Sequence, residues 1–137
     1  MTPQWDNESR DALIAYRMNR ADETLREADL MINEQLYHGA INRLYYACYY
    51  ASIAILLKKG IQTQTHSGVK TMIGLHLVSK GLIPIETGRT FVTLFERRQS
   101  GDYDDFVFCD QDEVNELRTK AISYIDCIKS LLSEQDK

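Results

Sequence analysis

From Ala40 to Leu57 the chain is apolar on nearly every side. Asn42, Arg43 and Ser52 are the only strongly polar residues in AINRLYYACYYASIAILL. Ala40, Leu44, Ala47, Ala51 and Ala54 form one helical stripe, and Ile41, Tyr45, Cys48 and Ile55 form a second beside it. A helix that is apolar nearly all round must be covered on most sides, so this segment is expected to be the central helix of the fold. Lys58, Lys59 and Gly60 end it, with cations in the last turn and a glycine just beyond. Upstream, a first helix is expected from near Asn7 as N-cap, with Ala21, Leu25, Ala28 and Ile32 inward and the turn at Asn33 to Gln35. Downstream, the polar IQTQTHSG leads into a third helix capped by Ser67, with Val69, Met72, Ile73, Leu75 and Leu77 inward and Gly81 as its stop. Pro84 suits the first turn of a fourth helix that runs through Arg89, Phe91, Leu94 and Phe95 to about Arg98. The loop GDYDDFVFCDQDE follows. Asp110, with Glu113 at the capping-box spacing, opens a fifth helix carrying Val114, Leu117, Ala121, Tyr124, Ile125, Ile128 and Leu132, and Ser133 to Lys137 should fray. The pattern predicts an all-α, antiparallel up-and-down helical bundle of about five helices in one domain, residues 1–137.

Composition agrees with a globular chain: 44% of the 137 residues are apolar and 26% charged, with two prolines. A net charge of −4 argues against a general electrostatic nucleic-acid binder but leaves room for a local basic site. Cys48, Cys109 and Cys127 are odd in number and lack metal-ligand spacing, which points to a reducing compartment. No secretory signal is visible at the N-terminus. The uncharged run Leu44–Leu57 is 14 residues, short for a membrane span, so a cytoplasmic protein is expected.

Chemistry concentrates on the central helix. Arg43, Tyr46 and Tyr50 lie at i, i+3 and i+7, so a guanidinium and two phenols share a face. An arginine in so apolar a helix needs an anionic partner, such as Asp102 of the acidic loop, or an opening to solvent. Alternatively it binds phosphate or RNA in a groove with Arg97 or Arg98, where Tyr46 and Tyr50 stack a base or bond a phosphate. Cys48 reads as a small core residue. His38, His66 and His76 are widely spaced, with no HExxH, so no metal site is expected, and the phosphate-binding glycine motifs are missing, so no cofactor is expected either.

The segments AINRLYYACYYASIAILLKKG, THSGV and ERRQSGDYDDF, in this order, resemble the HEPN domain family, and its small stand-alone bacterial and archaeal branch in particular. The resemblance runs from about Arg20 to Leu132. It implies a short antiparallel helical bundle, usually a homodimer. Many members are RNases of toxin–antitoxin or defence systems that act beside a nucleotidyltransferase-like partner. Their R-x(4–6)-H motif uses the arginine to hold phosphate and the histidine for acid–base chemistry. Here the arginine matches Arg43, and Tyr50 stands at the histidine position.

The resemblance therefore implies a module that binds RNA, a nucleotide or a protein partner with its catalysis degenerate. Arg43 is the anion anchor, Asn42, Tyr46 and Tyr50 are its neighbours, and Arg97, Arg98, Asp102 and Tyr103 support it. Two other readings stand beside this one. One is a divergent, metal-independent endoribonuclease toxin using Arg43 with Tyr50 or His66. The other is a purely structural partner protein whose Arg43 is paired internally.

Overall fold

The structure, a computed structural model, describes residues 6–103 and 109–134, with residues 99–103 as helix backbone only. Within them lie five α-helices and no strand: α1 (Asn7–Asn33), α2 (Tyr37–Lys58), α3 (His66–Ile73), α4 (Ile85–Tyr103) and α5 (Gln111–Ser133). A π-helical turn, Gly74–Val78, continues α3. The all-α bundle expected from periodicity is what forms. α2 lies at its centre and packs against each of the other four helices.

Caps explain most of the boundaries. Asp6, one residue before the expected Asn7, accepts from the Ser9 amide at 2.7 Å. The third helix is capped by Thr65, not Ser67: the Thr65 hydroxyl accepts from the Gly68 amide at 2.9 Å, so His66 becomes its first residue. Asp110 caps α5 as expected, accepting from the Glu113 amide at 2.8 Å. α4 runs past Arg98 to Tyr103. At the end of α2 the Gly60 amide reaches the Leu57 carbonyl and the Ile61 amide reaches Leu56, a pattern that needs a left-handed residue at Gly60 (φ 73°). Gln35 (φ 62°) takes the same role between α1 and α2, where a side chain is less comfortable.

The core follows the two stripes of α2. Ala40, Leu44, Ala47, Ala51 and Ala54 are buried, with Ile41, Tyr45, Cys48 and Ile55 beside them. Small residues on α1 (Ala21, Thr24 and Ala28) let that helix approach closely. The rings of Tyr45, Phe91 and Tyr124 stack in series, 5.6 Å apart at each step, and tie α2 to α4 and α5. The buried Tyr124 hydroxyl is matched by Ser52 at 2.6 Å, whose hydroxyl also bonds the Cys48 carbonyl. Leu75, expected inside, is 55% exposed. It falls two residues after the buried Ile73, on the opposite side of the turn.

Candidate functional site: a tyrosine stripe flanked by arginines

Residues 45, 46, 49 and 50 of α2 are all tyrosine, which puts four phenols on adjoining faces of two successive turns. Tyr45 is buried; Tyr46, Tyr49 and Tyr50 are only partly buried. Three other helices bring polar groups to them. From α1, the Arg20 guanidinium lies 5.3 Å from the Tyr50 ring centre. From α4, Arg98 lies 5.7 Å from the Tyr46 ring and 5.0 Å from Tyr45, and it donates to the Tyr46 hydroxyl at 3.1 Å. From α3, the His66 ring stacks on Tyr49 at 4.3 Å, and its Nδ1 lies 2.7 Å from the Tyr45 hydroxyl.

Arg43 sits 5.2 Å from the Tyr46 ring. Its Nη1 donates to Glu27 of α1 at 3.2 Å, and its Nε and Nη2 donate to Asn42 Oδ1 at 3.2 and 2.8 Å. The guanidinium is thus held by a carboxylate, an amide and a ring, yet 26% of the side chain is exposed, as is 44% of Glu27. Among the described residues its carboxylate partner is Glu27. The side chains of Asp102 and Tyr103 lie outside the described residues.

The electrostatics follow from these neighbours. Burial first, then the Arg98 cation, hold His66 below the usual histidine range. Burial pushes the Tyr45 phenol well above its ordinary value, so it keeps its proton, and its hydroxyl shares a hydrogen bond with His66 Nδ1. Burial also raises Tyr49, against the lowering effect of Arg17. The Tyr50 hydroxyl and Glu23 hold Arg20 above its ordinary value. Burial pushes the Cys48 thiol far up, which leaves it an inert core residue. Among the described residues, no three His, Cys, Asp or Glu side chains converge as metal ligands.

Of the residues expected at the site, Asn42, Arg43, Tyr46, Tyr50, His66 and Arg98 come together. Arg97 pairs with Glu113 of α5 at 2.7 Å. Sequence reasoning missed Arg20, Glu27, Tyr45 and Tyr49. Arg20 and Glu27 are seven residues apart on α1, flanking the Ala21–Thr24–Ala28 seam, and that spacing was the available signal.

A helical bundle with a polar cluster set on its central helix defines a class, and comparison with known proteins gives the family. Residues 14–131 match the family model of the HEPN domain, and the chain belongs to that family. It is 34% identical over 125 residues to a UPF0332 protein of Thermotoga maritima, covering 91% of this chain and 95% of that one. It is 35% identical over 86 residues to a UPF0332 protein of Gloeobacter violaceus, covering 63% and 68% respectively. A third relative, named as a candidate toxin of Methanocaldococcus jannaschii, is 32% identical over 114 residues, covering 83% of this chain and 84% of that one. No helix among the described residues is long and apolar enough to cross a membrane.

Proposed function

We propose that the tyrosine stripe is a binding surface for single-stranded RNA, in a HEPN module of toxin–antitoxin type whose own cleavage chemistry is degenerate. The observation that carries this reading is the meeting of three guanidiniums, from Arg20, Arg43 and Arg98 on three different helices, with the rings of one α2 stripe. Partly exposed phenols offer ring surface to unstacked bases, and guanidiniums beside them offer charge-assisted bonds to phosphate. Tyr50 stands where the family places its histidine, and a phenol is a poorer proton shuttle at neutral pH than an imidazole. The toxin names of two relatives support a role beside an antitoxin; the partner class, a nucleotidyltransferase-like protein, and a homodimeric working form are what the family resemblance implies.

Fluorescence anisotropy with a labelled 12-nucleotide single-stranded RNA tests the binding. Arg43→Ala should weaken affinity about tenfold or more, roughly 1.4 kcal/mol. Thermal stability should change by under about 1 kcal/mol, because the Glu27 pair is too exposed to contribute more. Glu27→Gln should tighten binding by releasing the guanidinium. A loss of several kcal/mol of stability in Arg43→Ala, with RNA affinity unchanged, would favour the structural reading. A second reading, cleavage with His66 as the proton-transfer group, is favoured by its imidazole lying 5.7 Å from the Tyr46 ring, within the same cluster as Arg98. Intact RNA after prolonged incubation in chelator excludes it.

A further inference from the structure

A second feature lies where the π-helical turn Gly74–Val78 crosses the start of α4, on residues that the tyrosine stripe does not use. Gly88 of α4 lets the two segments meet: a Cβ there would come within 2.6 Å of Val78. Gly74 is different. Its φ of −61° is ordinary for any residue, and a Cβ at Gly74 would meet nothing within 4 Å. A mid-helix glycine costs about 0.5–1 kcal/mol relative to alanine. Here neither backbone geometry nor internal packing asks for it. Gly74 lines an apolar slot of about 140 Å³ together with the buried Ile73 and Phe91 and with Val78, Ile85 and Val92.

Size decides what fits. Small-molecule pockets run to about 300–1,000 Å³, whereas an apolar cavity of about 150 Å³ takes a single benzene ring. The slot therefore suits one side chain, not a cofactor. Of its lining, Ile85 is 63% exposed, so the slot opens beside an apolar side chain that solvent already reaches. Lys70 and Arg89 line the slot as well. Lys70 is parked over the Phe95 ring at 4.5 Å, and among the described residues neither cation is in an ion pair. An apolar socket with an exposed isoleucine at its edge and two cations outside the described ion pairs is complementary to an apolar anchor flanked by carboxylates.

We infer that the Gly74 slot is the anchor pocket for a protein partner, which presents one leucine or phenylalanine side chain from an acidic segment. The anchor enters between Ile73 and Phe91, and its flanking carboxylates meet Lys70 and Arg89. A fluorescein-labelled peptide with one central phenylalanine between glutamates, titrated with the full chain, tests this by anisotropy. Saturable binding is expected, and it should be lost when the phenylalanine becomes alanine or the glutamates become lysines. Gly74→Leu adds a side chain in open space, so the protein should fold, and it should weaken peptide binding at least about tenfold, the scale of a lost anchor contact. Ile85→Glu should do the same by charge, and neither change should alter RNA affinity. Unchanged peptide binding by Gly74→Leu, or equal binding of the lysine-flanked peptide, overturns the inference. So does a dimer that becomes monomeric in sedimentation on Gly74→Leu, since the slot would then be covered by a second copy.

Discussion

The His66 imidazole is held between aromatic rings with its Nδ1 against the Tyr45 hydroxyl and the Arg98 cation nearby. Burial first, and then the Arg98 cation, disfavour a second proton on the ring. A base whose folded pKa lies below its ordinary 6.5 binds more protons when unfolded. Its contribution to stability is therefore complete above about that value and is lost as pH falls through the window from 6.5 down to the depressed folded value. Thermal melts of wild type and His66→Gln should show the wild-type melting temperature falling more steeply on acidification below 6.5. The same slope in both proteins would show that His66 is not the group responsible. His66 was visible in the sequence only as a loop residue, because its position depends on a cap at Thr65 and on α3 folding back over α2. Arg43, Tyr46 and Tyr50 were legible, since three residues on one helical face need no tertiary information. Glu27 was not, because which charge of α1 meets α2 is set by how the two helices are rotated about each other.

At the scale of elements, the sequence was most readable where helices end and where apolar stripes are clean. Val114, Leu117, Ala121, Tyr124, Ile125 and Ile128 of α5 are all buried as their spacing implies, and Gly60 and Gly81 both take the left-handed conformation that stops a helix. It was least readable around α3, where Leu75 was assigned inward and the π-helical turn was not foreseen. A turn that bonds five residues back depends on what packs against it, and no residue type marks it. Gly88 is the packing contact in question. Gly88→Ala should force Val78 aside and destabilise the fold by about 1–3 kcal/mol, the range for overpacking, despite alanine's better helix propensity. Val78→Ala in the same chain should recover most of that loss, because the clash is with the valine Cγ2 and not with backbone. Denaturant unfolding of the two single variants and the double variant measures the coupling. Additive losses would place the strain elsewhere.

For the molecule as a whole, a net charge of −4 stands against a basic site, and the conflict is resolved by location. Acidic side chains are spread over several elements, and many already answer a cation: Asp29 holds Arg118, Asp22 holds Lys129, and Glu113 holds Arg97. Among the described residues, Arg17, Arg20, Arg43 and Arg98 gather at the tyrosine stripe with Glu23 and Glu27, so the balance of those side chains is positive. Distant negative charge is screened beyond about 8–10 Å at ordinary salt, so a strand lying on the stripe meets mainly the local cations. This gives the proposed RNA binding a quantitative signature. If Arg20, Arg43 and Arg98 each neutralise one phosphate, the logarithm of the binding constant should fall with the logarithm of salt concentration with a slope of about −2, at roughly 0.7 per phosphate on a single strand. Raising salt from about 50 to 200 mM should then weaken binding roughly 20-fold, far less than the thousandfold or greater loss of a general nucleic-acid binder. Arg98→Ala should reduce the slope by about 0.7, whereas Tyr50→Ala should weaken binding with the slope intact, because stacking releases no counterions. A slope near zero in the wild-type protein would place the RNA, if it binds, on some surface other than this one.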